Sequence, residues 1–213
     1  MKLPPIALLA FVVGTASLGA EIAAARLLAP YFGASTIVWA NIIATVLVSL
    51  SVGYWVGGRL ADRAPHLRGL CTLVTVAAVL LAAVPFAAGP FLGVSVEAFD
   101  SLSVGEFLGS LVGVLVLVAV PVLLLGAASP WAIRLSVQTV EESGRVAGRL
   151  YAISTAGSLA GTFLSALLLI PLVGTQRTFL IFALALAAVA VLGLRRRWLP
   201  VPLALAALLA IPV

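Results

Sequence analysis

Charged residues are so widely spaced in this chain that they divide it into long apolar intervals. Only 9% of its 213 residues are Asp, Glu, Lys or Arg, and 63% are hydrophobic, whereas an ordinary soluble domain is about 25% charged. A helix needs about 20 apolar residues to cross a bilayer core of about 30 Å. The sequence therefore predicts an all-α integral membrane protein, and its composition argues against a soluble enzyme, a nucleic-acid-binding module and a disordered chain.

Seven membrane-spanning helices are predicted from these intervals, and together they make residues 1–213 a single transmembrane domain. The spans lie near residues 5–29, 36–58, 69–89, 106–128, 147–170, 176–194 and 199–213. Residues 90–105 are expected to form a short loop or an interfacial helix. The amphipathic residues 131–146 are expected to form an interfacial helix with Trp131 at the level of the lipid headgroups.

The basic residues predict the orientation of the helices. All twelve Lys and Arg residues except Arg26 and Arg177 fall on one side of this topology. Because cytoplasmic loops carry an excess of basic residues, the N-terminus is expected in the cytoplasm of a multi-pass cell-membrane protein. A cleaved signal peptide is the alternative interpretation of Lys2 and the apolar stretch after it. The uncleaved helix is favoured because the apolar character continues through Leu28.

Glu21 is the most informative polar residue within the predicted spans. It lies roughly 24 Å along the first helix at 1.5 Å per residue, where a carboxylate is costly and needs a partner, water or a proton. Gly14 and Ser17 share its face, so we expect Glu21 to point into the bundle. It is interpreted either as a proton, cation or cationic-substrate site, or as a structural partner of Arg26, Arg177 or a hydroxyl group.

Two stripes of polar residues accompany this carboxylate. One runs along the second predicted helix and the other along the fifth. Each either lines a solute cavity or makes interhelical hydrogen bonds, which are worth about 0.6–2 kcal/mol each. Together with Glu21, the candidate substrate- or ion-binding residues are Asn41, Tyr151, Ser154, Thr155 and Ser158.

No motif for catalysis or for cofactor binding is visible in the sequence. The chain has one cysteine and one histidine, which argues against a disulfide framework or a Cys/His metal site within one chain. The glycine-rich stretches lack the spacing of a phosphate-binding loop. Neither a catalytic residue, nor a metal, nor a cofactor is therefore expected.

A short motif occurs at the predicted outer ends of the first and fifth spans. Residues 27–34 and 168–175 both have the pattern Leu-Leu-x-Pro-x-x-Gly followed by a small residue. Such a match is expected from an internal repeat, which is common in transporters. It is also expected if proline and glycine simply end two helices at the same surface.

The end of the second predicted helix resembles a motif of major facilitator transporters. Gly57-Gly58-Arg59-Leu60-Ala61-Asp62-Arg63 is similar to the loop between the second and third helices of that family. The resemblance implies that Arg59, Asp62 and Arg63 take part in conformational gating. The sequence departs from the pattern after Arg63, where Ala64-Pro65-His66 follows.

A longer series of motifs resembles the membrane part of fused major-facilitator/spermidine-synthase-like proteins. The resemblance covers residues 8–197, and its motifs are Gly19-Ala20-Glu21, Arg26 to Gly33, Trp39, Gly57 to Arg63, Pro121 with Gly126 and Pro130, and Gly148 to Ser158. It implies major-facilitator-like helix packing. In that family a cytoplasmic aminopropyltransferase-like domain follows the membrane helices. That soluble domain is absent from this sequence, so its enzyme activity is not carried over.

The sequence therefore favours two functions from different classes over a third, a membrane enzyme, which would need a further domain or a partner. One is a transport-like membrane domain for a small, cationic solute such as a polyamine. The alternative is a non-catalytic membrane subunit or anchor that packs in a larger complex, with copies of itself or with other membrane proteins. The expected partners are the lipid bilayer, a small cationic solute, and copies of the chain or other membrane proteins. No nucleic acid is expected.

Overall fold

Long helices make up almost all of the structure. The computed structural model describes residues 3–99, 105–194, 198 and 200–209, and these residues include no strand. The helices are α1 (Leu3–Phe32), α2 (Thr36–Arg63), α3 (Leu67–Phe99), α4 (Gly105–Ser136), α5 (Ser143–Val173), α6 (Thr175–Val191) and α7 (Pro200–Leu209). Helices α1 to α5 are long and apolar enough to cross a membrane, and α6 and α7 are shorter apolar helices. The prediction of an all-helical chain with several membrane-length helices is confirmed. Lys2, Asp100, the arginines at 195–197 and the end of the predicted seventh helix lie outside the described residues.

Two glycines with positive φ end helices at the repeated sequence motif. Gly33 follows α1 with a φ of 77°, and Gly174 follows α5 with a φ of 84°. Each glycine N–H donates to the carbonyl oxygen four residues earlier, at 3.0 and 3.1 Å. Glycine adopts this conformation without the steric cost that a Cβ brings. The motif therefore marks a shared way of ending a helix.

Helices α3 and α4 extend beyond their predicted ends. Helix α3 continues through Pro90, where a loop or interfacial helix was expected. Helix α4 continues to Ser136, and a short non-helical turn over residues 137–142 separates it from α5. The predicted interfacial helix over 131–146 is therefore wrong. Trp131 is 6% exposed and its ring packs on Gly69 of α3, so it is buried in the bundle.

Two helices widen for one turn before a proline. Leu115–Ala119 in α4 and Leu164–Leu169 in α5 are π-helical, and Pro121 and Pro171 follow them. Proline has no N–H to donate, and its ring clashes with the carbonyl of the preceding turn. A widened turn is one of the ways in which a helix accommodates that clash.

Two parallel helix pairs form the centre of the bundle. In the first pair, the carbonyls of Phe11 and Thr15 in α1 lie over Gly157 and Gly161 in α5. In the second, Gly53 and Gly57 of α2 lie against the backbone of Leu123 and Ala127 in α4. Glycine at these positions lets the backbones approach closely, as is typical of helix packing in membranes.

The two pairs are related residue by residue. Gly14 of α1 meets the carbonyl of Ser154 in α5, and Gly126 of α4 meets the carbonyl of Leu50 in α2. One constant sequence shift takes Phe11, Gly14 and Thr15 onto Leu123, Gly126 and Ala127, and a second takes Leu50, Gly53 and Gly57 onto Ser154, Gly157 and Gly161. The structure thus relates α1 and α2 to α4 and α5 as repeated units. The sequence motif had instead aligned the first span with the fifth, and these two helices are packing partners.

Helices α3 and α6 cover the two central pairs. Helix α3 packs on α4 and α6, α6 also packs on α1, and α7 packs on α6. The core is dominated by alanine on α1, where Ala20, Ala23 and Ala24 are fully buried, and by Phe179 of α6. The exposed faces of α2 and α5 are left without a neighbouring helix among the described residues.

Candidate functional site

Glu21 lies half-buried on α1, on the face that also carries Ser17 one turn earlier. The Ser17 side chain is 5% exposed, and its hydroxyl has no hydrogen-bond partner within the described part of the chain. Glu21 likewise makes no hydrogen bond or ion pair with a described residue, and the exposed Arg26 does not reach it. Two polar groups four residues apart share one helix face. Neither side chain is therefore used in a hydrogen bond or an ion pair by the described part of the chain.

Asn41 of α2 forms hydrogen bonds to α4. Its side chain is 5% exposed, and Nδ2 donates to the Phe107 carbonyl and to Ser110 Oγ, both at 2.9 Å. The Ser110 hydroxyl in turn donates to the Glu106 carbonyl at 2.6 Å. All of these partners belong to the α2–α4 interface, so this predicted site residue has a structural explanation.

The polar stripe of α5 divides between packing and exposure. Ser158 donates to the Gly14 carbonyl at 3.3 Å, and Ser165 donates to the Gly19 carbonyl at 2.9 Å, so these hydroxyls bind α5 to α1. Tyr151, which is 55% exposed, and Thr155 face outward. The helical periodicity of the stripe did not distinguish these two sides.

The crevice beside Tyr151 and Ser154 is too small for a solute. It lies between α1, α4 and α5, is lined in part by Ala10 and Ser129, and has a volume of about 10 Å³. A single water needs about 10–15 Å³. In this conformation the crevice has room for roughly one water molecule.

The predicted site residues fall into separate places. Asn41 lies in the α2–α4 pair, whereas Ser154 and Ser158 lie against α1 in the α1–α5 pair. No described hydrogen bond joins either group to Glu21. Helix pairing satisfies Asn41 and Ser158 separately, whereas the Thr45 hydroxyl on α2 is buried without a partner among the described residues.

The predicted gating residues cluster where α2 ends. Asp62 Oδ1 accepts from Arg134 Nε of α4 at 3.3 Å, and the guanidinium of Arg59 lies 3.8 Å from the ring centroid of Trp55. Arg63 is exposed. An open groove of about 380 Å³ lies beside the Asp62–Arg134 pair, between α2 and α4. This pair joins the ends of two helices that already pack along their length.

Sequence reasoning missed Arg134 as the partner of Asp62. The packing of α2 on α4 explains this ion pair. The register that places Gly57 on Ala127 also brings together the ends of the two helices, where Asp62 and Arg134 lie. That register depends on glycine contacts between helices distant in sequence. The usable sequence signal was the small-xxx-small spacing of Gly53 and Gly57, which identifies a packing face but not its partner.

The described residues contain no group of three or more His, Cys, Asp or Glu side chains that could hold a metal ion. Cys71 is buried, and His66 is exposed in the turn between α2 and α3.

Comparison of the chain with protein-family models, with curated proteins and with solved structures gives no match.

Proposed function

We propose that the chain is a multi-pass membrane domain with seven spans and its N-terminus in the cytoplasm. The five membrane-length apolar helices support insertion, and α6 and α7 then provide two shorter spans. The orientation rests on the basic residues, which collect at the ends of α2 and α4 and at the start of α5. Cysteine labelling tests it: an outside reagent should react with E97C and should not react with G144C. The reverse pattern would contradict the topology.

We also propose that this domain has a transport-like role for a small cationic solute, with a polyamine as the expected class. The observation that carries this proposal is Glu21, a half-buried carboxylate with an unpartnered hydroxyl one turn away. A carboxylate within a membrane helix that is not used in packing is a functional-site hypothesis by default. The resemblance to the membrane part of fused major-facilitator/spermidine-synthase-like proteins is consistent with this role.

Glu21 does not line any of the cavities formed by the described residues. The crevice between α1, α4 and α5 is water-sized, and the outward faces of α2 and α5 carry Ser51, Tyr54 and Thr155. Hydroxyl groups gain nothing from lipid tails. The proposal therefore requires that these faces be covered by another helix bundle when solute is bound.

The test is uptake of radiolabelled spermidine into proteoliposomes by the wild-type chain, E21Q and E97Q. Glu97 is an exposed carboxylate near the end of α3, so E97Q removes the same charge elsewhere. Uptake should be lost in E21Q and retained in E97Q, with similar thermal unfolding of both variants. Equal uptake by E21Q and the wild-type chain would reject the assignment of Glu21.

A non-catalytic membrane subunit is the second candidate function. The exposed face of α2 favours it, because Trp55 is 60% exposed and Tyr54 is 46% exposed, and aromatic residues are enriched in protein interfaces. In nanodiscs, W55A should reduce association of the chain with copies of itself or with membrane partners. The matched control is F86A, since Phe86 on α3 is also half-exposed. Equal association of both variants would contradict this candidate.

A further inference from the structure

A cavity of about 360 Å³ lies at the arginine-rich end of the bundle, away from Glu21. The first two turns of α1 and α5, the end of α4 and the turn after it form its walls. Ala7, Val146 and Leu150 provide an apolar lining, and Ser136, Gln138, Arg145 and Arg149 provide polar groups. Small-molecule sites typically have volumes of about 300–1,000 Å³ and combine apolar walls with a few polar groups.

The two arginines of this cavity lie on one helix face. Arg145 and Arg149 are four residues apart on α5, a spacing at which like charges repel and destabilise a helix. Arg145 Nη2 lies 3.7 Å from Glu142 Oε2. Arg149 forms no ion pair with any residue that the structure describes. The pair of arginines therefore carries positive charge that the described chain balances only in part.

Among the described residues of the cavity wall, the one carboxylate is already engaged. Glu142 Oε1 accepts from the backbone N–H groups of Gln138 at 2.6 Å and Thr139 at 3.3 Å. These bonds order the turn between α4 and α5, and they fix the carboxylate in the cavity wall beside Arg145. An anion entering the cavity would meet the two guanidinium groups and the side chains of Ser136 and Gln138, next to the hydrogen-bonded carboxylate of Glu142.

We propose that this cavity binds the phosphate group of an anionic ligand, with Arg145 and Arg149 as its main contacts. A guanidinium group presents a planar fork of donors that matches phosphate oxygens. The apolar lining by Ala7 and Leu150 accommodates the carbon atoms next to the phosphate. A lipid headgroup and a free phosphorylated solute share this chemistry, and basic pockets between helices near a membrane surface are typical lipid-phosphate sites.

Native mass spectrometry of the purified full chain in a neutral detergent tests the proposal. The probes are phosphatidylglycerol, which is anionic, and phosphatidylcholine, which is zwitterionic and has matched acyl chains. The wild-type chain should retain phosphatidylglycerol saturably and in preference to phosphatidylcholine. Glycerol 3-phosphate is then added as a competitor. Displacement of the lipid identifies a free phosphorylated solute as a ligand, and lack of displacement identifies the lipid, with either outcome supporting a phosphate site.

The variants separate this site from general surface charge. R149Q should weaken phosphatidylglycerol binding at least about tenfold, since one charge-assisted hydrogen bond is typically worth that factor or more. R68Q removes the same charge from an exposed position at the start of α3 and should change binding less than about twofold. A7F, which places a bulky apolar ring in the cavity without changing its charge, should also weaken binding at least about tenfold. The proposal is overturned if the wild-type chain shows no preference for phosphatidylglycerol, if R68Q matches R149Q, or if A7F binds normally.

Discussion

Replacing Gly161 with alanine tests the packing of α1 on α5. An ideally placed Cβ at Gly161 would lie 2.7 Å from the carbonyl carbon and 2.8 Å from the Cα of Thr15. Carbon atoms in favourable contact are about 3.5–4.0 Å apart. The contact is with backbone, so no side chain can rotate away. The two helices must separate locally by about 1 Å.

That separation has a cost that can be measured. Overpacking a tight interior typically costs about 1–3 kcal/mol. For a chain of this size, each kcal/mol corresponds to a fall of roughly 2–4 °C in the unfolding midpoint. G161A should therefore unfold at a midpoint lower by several degrees, as followed by tryptophan fluorescence in detergent. The loss should exceed the gain of about 0.5–1 kcal/mol that alanine normally brings in place of a helical glycine.

Gly148 provides the matched control within the same helix. A Cβ there would meet nothing within 4 Å, so G148A should unfold at an unchanged or higher temperature. The repeated geometry adds a second comparison on α2, where G57A should destabilise the fold and G58A should not. Gly57 lies against the backbone of Ala127, whereas the nearest atom to a Cβ at Gly58 is 4.0 Å away. If G161A and G148A have equal midpoints, the close approach of α1 and α5 is refuted.

Three further substitutions test other contacts. N41A should destabilise the chain by about 1–3 kcal/mol, because it removes both interhelical hydrogen bonds of a buried amide. The control is S51A, which removes an exposed hydroxyl. Equal unfolding midpoints of the two variants would contradict the role of Asn41. D62N should lower the free energy of unfolding by less than about 1 kcal/mol, as is usual for an exposed ion pair. A much larger loss of stability would contradict the assignment of a weak, exposed ion pair. A hydrogen bond from its own backbone N–H and one from the Thr139 side chain lower the pKa of Glu141. A lowered carboxyl pKa favours the folded state above the ordinary glutamate range and loses that contribution as the pH falls. NMR titration should therefore give Glu141 a midpoint below the usual range, and T139A should raise it.

The sequence was sufficient to predict the helical class and the existence of the long helices, because these depend on local composition. The spacing of charged residues marks membrane-length apolar intervals without knowledge of what packs on them. The ends of α3 and α4 were less predictable. Pro90 and Pro130 lie inside helices, although proline usually ends or bends a helix. Their helices continue past them into packed residues, since Leu92 after Pro90 and Trp131 after Pro130 are both buried.

The candidate site was less predictable because it depends on helix pairing. Asn41 and Ser158 both belong to regular polar stripes, and periodicity alone did not distinguish them from Glu21 as candidate site residues. Their hydrogen bonds to Phe107 and Gly14 form only because α2 meets α4 and α5 meets α1. Such pairings join residues far apart in sequence, and one chain contains no local signal for them. Glu21 is distinguished from both by the absence of any such partner among the described residues.

The internal repeat supplies an independent argument about Glu21. The shift that takes Gly14 onto Gly126 also takes Ser17 onto Ser129, and it takes Glu21 onto Ile133. Glu21 and Ile133 are both partly buried, so one half of the repeat accommodates an apolar side chain where the other has a carboxylate.

The packing of the repeat therefore does not require a carboxylate at this position. We expect E21I to fold with an unchanged or higher unfolding midpoint, because it removes a partly buried charge that has no described partner. The same variant should lose uptake or binding of a cationic solute. A sharp loss of stability in E21I would show instead that Glu21 has a structural partner, and it would remove the main support for a solute site on α1.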